Sequence, residues 1–200
     1  MVQGLGGAMY LVVDCETNGL PLNWRAPVSD LDNWPRAVQV AWSLYDDQHR
    51  QTRCATRLVQ PDGFVIPAAA ARVHGITTER AAAEGFPVRD VLYELNGATQ
   101  EARYFIAHNA SFDGAVLAAE FIRQNWQPPF NPSTMICTME GSTDYCRLPG
   151  GPRGYKWPKL EELYELLSGN PFGGAHDAGV DVAACAWCFF ELKNRGVLRF

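Results

Sequence analysis

Two short apolar runs set the strongest limit on what this chain can fold into. Residues 9–13 (Met-Tyr-Leu-Val-Val) and Tyr104–Ala107 lack the alternation of a half-exposed strand. Such runs mark strands buried on both faces, as in an α/β sheet covered by helices. Each run stops at a segment that carries carboxylates: Asp14-Cys15-Glu16-Thr17-Asn18-Gly19 after the first, His108-Asn109-Ala110-Ser111-Phe112-Asp113 after the second. A third segment, His176-Asp177-Ala178-Gly179-Val180-Asp181, opens a helix. Strand ends and helix starts are where α/β folds place their chemistry.

The bulk numbers narrow the class. Two hundred residues suit a single domain, expected over 1–200 with a core at about 9–195. No stretch approaches the roughly 18 apolar residues of a membrane span, so no membrane partner is expected. The first residues, Met-Val-Gln-Gly-Leu-Gly-Gly, lack the basic region of a signal peptide. The formal charge of −5 argues at first against nucleic acid, but two bound divalent cations would cancel most of it. Of six cysteines only Cys185 and Cys188 are close-spaced, and a zinc site would need a second such pair. Asp181, Cys185, Cys188 and Leu192 recur at helical spacing, so this face is expected to pack on the sheet with Asp181 at its active end. Reduced thiols fit a cytoplasmic protein.

Periodicity and punctuation give the element order. Strands are expected at 9–14, 37–45 and 53–59 as a meander, and at 104–107 centrally. Helices are expected near 67–73, 88–95, 111–124 and 160–167, with a last one capped by Asp177 and running to about Lys193. Two segments, 21–35 and 141–158, read as long irregular loops, a rarity that is often functional.

Asp14 and Glu16 stand two apart at a strand end, so both side chains leave the same face. With Asp113 and Asp181 they would form an all-oxygen set, suited to Mg²⁺ or Mn²⁺ and not to zinc. Two such cations can serve an in-line phosphoryl displacement. His176 is the candidate base, because imidazole titrates near neutrality. Taken singly, each acid has a plainer reading: Asp-x-Glu after a strand arises by chance, and Asp113 suits a helix first turn. The three segments in this order are what point to a nuclease.

Asp14-x-Glu16, then Asp113, then His176-x-x-x-x-Asp181 resembles the pattern of the DEDDh 3′→5′ exonucleases, the family of the proofreading subunit of bacterial replicative DNA polymerase. Residues 36–42, Val73-His74-Gly75-Ile76-Thr77 and 108–113 are similar to further segments of its proofreading branch. The sister branch has tyrosine four residues before the last aspartate, where this chain has Asp177. The resemblance implies an α/β, ribonuclease-H-like fold with a five-stranded mixed sheet flanked by helices. It implies catalysis by Asp14, Glu16, Asp113, Asp181 and His176, with the four acids as ligands of two Mg²⁺ or Mn²⁺ ions. It places Thr17, Asn18 and Gly19 near the terminal nucleotide, Leu20 as a wedge, His74 and Phe112 on that nucleotide, and Asn109 in support. Core packing for Leu20 and Phe112, and helix capping for Asn109, are the structural alternatives.

The expected substrate is a DNA 3′ end, preferably single-stranded, in DNA repair or proofreading. A 3′→5′ exoribonuclease on short RNA or RNA tails is the alternative. A silent nucleic-acid-end binding module usually loses one of these five residues, and a structural cation site leaves His176 without a role. The 21–35 loop looks longer than in the proofreading subunit. The chain stops at Phe200, before that subunit's polymerase-binding extension, which favours a free-standing enzyme over a stable polymerase subunit. Arg147, Arg153 and Lys156 are expected along the strand's backbone.

Overall fold

The computed structural model describes residues 9–151, 154–173 and 177–200. Strands β1 (Tyr10–Thr17), β2 (Ala37–Tyr45) and β3 (Gln51–Leu58) form the expected meander, antiparallel throughout. Helices α1 (Ala68–His74), α2 (Thr78–Glu84) and α3 (Val88–Thr99) then lead to β4 (Tyr104–Ala107), which runs parallel to β1. After α4 (Ala110–Arg123) comes β5 (Met135–Cys137), parallel to β4, and then α5 (Thr138–Cys146). A small hairpin of β6 (Pro149–Gly151) and β7 (Gly154–Tyr155) precedes α6 (Leu160–Ser168) and α7 (Ala178–Asn194). The sheet order is β3-β2-β1-β4-β5, a five-stranded mixed sheet flanked by helices, which is the ribonuclease-H-like fold.

Alternation along β1 divides the core. Leu11, Val13 and Cys15 pack with α3 and α4 residues such as Leu92, Leu95 and Leu117 on one face. Tyr10 and Val12 point to the other, where Val182, Cys185 and Phe189 of α7 cover them. Asp14 and Glu16 continue the Tyr10–Val12 parity, so the strand that buries apolar side chains under α7 delivers its two acids on the same side.

Three expectations need correction. The cysteine face of α7 does not lie wholly on the sheet: Cys185 does, whereas Cys188 and Leu192 pack with Cys146, Leu163 and Leu167 against α5 and α6. The segment 141–158 is not one irregular loop, because it contains the end of α5 and the hairpin. Helix α2 was not expected, and the fifth strand that the resemblance implied was not located along the chain: α2 is two turns long and β5 three residues, too short for a period to register. The 21–35 segment does lack regular structure, yet side chains knit it. Asn33 accepts from the Asn23 backbone N–H at 2.7 Å and donates back to its carbonyl at 3.1 Å, and the Trp34 indole donates to the Pro27 carbonyl.

Candidate active site

The carboxyl end of β1 carries Asp14 and Glu16, and α7 brings Asp181 over them from above the sheet. One carboxylate oxygen from each of the three lies within 4.8 Å of the others. Asp113 arrives from the opposite face, on the first turn of α4, and reaches across the sheet edge. Its Oδ1 accepts the Cys15 backbone N–H at 3.1 Å and the Cys15 thiol at 3.1 Å. That oxygen is thereby fixed to β1, and Asp113 lines the same cleft of about 640 Å³ as the other three acids.

Local structure explains these placements. Asn109 takes a left-handed conformation (φ 84°), tolerable for asparagine, and so turns the chain from β4 into α4 within two residues. Its side chain does not cap the helix but accepts from the Ser111 hydroxyl at 3.1 Å. Asp177 caps α7 by accepting the Gly179 and Val180 N–H groups at 3.0 and 3.2 Å, as its sequence position implies. Gly179 lets α7 begin close to the sheet, since a Cβ there would sit 2.7 Å from Thr56 Oγ1 of β3 and push that side chain aside. Buried Gln39 on β2 accepts the Ala178 N–H at 3.1 Å, anchoring the turn that carries Asp181.

The electrostatics are those of a site short of positive charge. Asp14 is pushed well above the usual carboxylate range, first by burial and then by the charges of Asp113, Asp181 and Glu16. Glu16 rises to about 7 from burial and the charges of Asp181 and Asp113. Burial raises Asp113 too, against the opposing pull of its two bonds from Cys15. Acids held this close ionise together only when a cation joins them. An all-oxygen donor set suits a hard divalent ion such as Mg²⁺ or Mn²⁺.

The other expected residues divide. Leu20, Asn109 and Phe112 line the acid cleft. Leu20 is 69% exposed, which removes the core reading for it; Phe112 is half-buried and has the Trp24 ring 5.6 Å away. Asn18 and Gly19 line a neighbouring cavity of about 450 Å³ whose wall shares Leu20. Asn18 ties the chain to itself, accepting the Arg36 N–H at 2.8 Å, and Thr17 donates to the Gly19 carbonyl at 2.6 Å. His74 ends α1, accepts the Ile76 N–H at 3.1 Å, and does not line the cleft. His176 lies outside the described residues, as does Arg153. Neither Arg147 nor Lys156 lines the cleft, and Lys156 is held by Glu162 at 2.5 Å.

Sequence reasoning missed four residues of this region. Gln39 carried a signal, as a lone amide inside an apolar strand. His108 is pushed down to about 4 by burial, with the Pro158 carbonyl opposing. That carbonyl can only accept, so Nε2 carries the proton, and Nδ1 receives the Thr138 hydroxyl, both at 3.0 Å. Trp157 and Lys159 line the cleft from the segment that His108 pins. Only their neighbourhood in a loop with glycines and basic residues hinted at them.

A ribonuclease-H-like sheet with an acidic cluster at the end of its central strand defines the class of ribonuclease-H-like nucleases. The exonuclease family model matches residues 11–189, and the chain belongs to that family. Among solved structures, E. coli exonuclease I in complex with a dA16 oligonucleotide is 20% identical, with a TM-score of 0.74. The match covers 94% of this chain and 41% of that one. A zinc-bound form of the E. coli exonuclease I–single-stranded DNA complex is 22% identical at a TM-score of 0.73, with the same coverage of 94% and 41%. The dT13 complex is 20% identical at 0.73, again over 94% and 41%. The chain thus spans about two fifths of the length of these neighbours, and the likeness concerns the fold. No curated protein matches the chain.

Proposed function

We propose that this chain shortens single-stranded DNA stepwise from the 3′ end, releasing nucleoside 5′-monophosphates. The observation that carries the reading is the convergence of Asp14, Glu16 and Asp181 oxygens within 4.8 Å, in a cleft that Asp113 also lines. These four acids would hold two divalent cations, Mg²⁺ or Mn²⁺. When bound, such ions supply activation of water and neutralisation of charge on the leaving oxygen. Asp14 and Glu16 are fixed by the sheet, and Asp113 by Cys15, so the ligands are set before substrate arrives.

His176, five residues before Asp181, would take the proton from the attacking water at a ring nitrogen. Leu20 and Phe112 would form the wall against which the terminal nucleotide ends, with Thr17–Gly19 behind it and His74 further along the strand. Single-stranded DNA is favoured because exonuclease I, which shares the fold, has been solved with dA16 and dT13. The six free cysteines fit the cytoplasm, where the enzyme would act in repair.

The test is digestion of 5′-labelled single-stranded DNA, duplex DNA and RNA side by side, with Mg²⁺ and with excess chelator. A descending ladder on single-stranded DNA, suppressed by chelator and by a 3′-terminal phosphate, is expected. Cleavage of closed circular single-stranded DNA at a comparable rate would refute the terminus-gripping wall, and a faster ladder on RNA would move the assignment to an exoribonuclease.

A further inference from the structure

We infer that Trp157 is the base-stacking platform of this cleft and the residue that selects unpaired bases. The inference rests on the nuclease reading above and adds to it the side chain that recognises the base. Trp157 lines the cleft of Asp14, Glu16 and Asp181 yet is 63% exposed, whereas Phe112, the other large aromatic side chain there, is half-buried with Trp24 at its back. An indole open to solvent inside a cleft that carries the acids has a large apolar face available to a flat ligand.

The chain on both sides of Trp157 is also held in place. On one side, the Lys156 N–H donates to the Leu148 carbonyl at 2.9 Å, and its ammonium is paired with Glu162. On the other, the buried Pro158 gives its carbonyl to His108 Nε2 at 3.0 Å, and the Lys159 N–H donates to Glu162 at 2.9 Å. His108 stands at the carboxyl end of β4, so the segment bearing Trp157 is fastened to the strand next to the one that carries Asp14. Three backbone hydrogen bonds on the two flanks hold the main chain beside an exposed indole, and a main chain fixed before binding loses little entropy when a base settles on it. Lys159, two residues on, lines the same cleft, with its ammonium 3.5 Å from Glu161. An aromatic face and a cation in one cleft are the two groups that single-stranded nucleic acid needs, one for the base and one for the phosphate. In a duplex the base faces are already stacked, so the platform favours a single strand.

A double-mutant cycle between protein and nucleic acid tests this. Dissociation constants are measured by anisotropy at low salt in chelator, with 5′-labelled oligothymidylate in which each of the four 3′-terminal nucleotides in turn is made abasic. In the wild-type protein one position should stand out, losing roughly 5- to 150-fold in affinity, the factor that one base–aromatic stack supplies. Trp157→Ala should weaken the intact strand by a similar factor and then be indifferent to that abasic position. Trp157→Phe, which keeps an aromatic face, should restore most of both the affinity and the sensitivity. Equal abasic penalties in the wild type and in Trp157→Ala would overturn the inference, as would failure of the intact strand to bind. Normal stepwise shortening with equal penalties would refute this inference alone. The expected coupling without any shortening in Mg²⁺ would refute the nuclease reading and leave the stacking platform standing.

Discussion

Helix α4 carries two buried carboxylates two turns apart, and their surroundings are opposite. Asp113 joins three other acids and accepts the thiol and the backbone N–H of Cys15. Glu120, wholly buried, lies 2.8 Å from Arg36 Nε and 3.1 Å from Arg123 Nη1, and also accepts the Ala37 N–H at 3.0 Å. Arg123 in turn donates to the Leu31 and Trp34 carbonyls, so the Glu120 cluster fastens the irregular 21–35 segment and the start of β2 to the core. A buried charge met by its partners is structure. Buried acids gathered this close raise one another's pKa, and a cation that joins them relieves the cost. The acid site is therefore expected to destabilise the metal-free chain, whereas the Glu120 cluster ties separate segments together.

Exchanging the two sites in an experiment gives the largest effect. Asp14→Asn should lower nuclease turnover about 10³-fold or more, since metal-borne charge stabilisation is worth several kcal/mol. It should nevertheless raise the melting temperature of the metal-free protein. Glu120→Ala should do the reverse, costing about 3–5 kcal/mol by leaving two arginines facing an emptied site. Parallel thermal melts and oligonucleotide digestions would check both, and a destabilised Asp14→Asn would break the contrast.

A pH series sharpens it further. Glu16 titrates at about 7 in the folded chain against 4.5 for an ordinary glutamate, and Asp14 is raised in the same direction. Between these values the folded state holds protons that the unfolded state has released, so unfolding free energy must fall as pH rises. Glu16 should thus cost the metal-free protein stability from about pH 4.5 to about 7, absent below and full above, and Asp14 adds a loss of the same sign. Saturating Mg²⁺ should flatten that slope, and Glu120 variants should retain it. Denaturant melts across the range would show whether the slope is there and whether the ion removes it.

A smaller effect is expected at Gln39, which stands across from Glu16 on β2 and holds the start of α7. Gln39→Leu would leave the Ala178 N–H unanswered at the start of α7, a cost of about 1–3 kcal/mol. Because that turn positions Asp181, turnover should fall and more Mg²⁺ should be needed for half-maximal rate; an unchanged Mg²⁺ requirement would show that Asp181 is placed without it. The smallest effect is spectroscopic. His108 should stay neutral down to about pH 4, and its ring shifts should be flat from pH 8 to 5, when free imidazole would already have titrated.

The sequence alone determined the strands that carry the site, because apolar runs and the carboxylates that end them are local: β2 and β4 were read with their observed bounds, and α7 with the cap on Asp177. It also placed Asp14 and Glu16 on one face, since strand parity needs no partner. Tertiary structure alone decided the rest. The elements β5 and α2 are too short to carry a period and persist because neighbours hold them. The cysteines of α7 divide between sheet and helices according to what packs beside them. Glu120 reads as an ordinary helical acid until Arg36, 84 residues away, lies against it. Asp113 is drawn to Cys15 across 98 residues, and His108 holds Pro158 across 50. Local patterns are written by backbone geometry and hydrophobicity, which a short window contains. A charge's role depends on what surrounds it in space, which only the folded chain supplies.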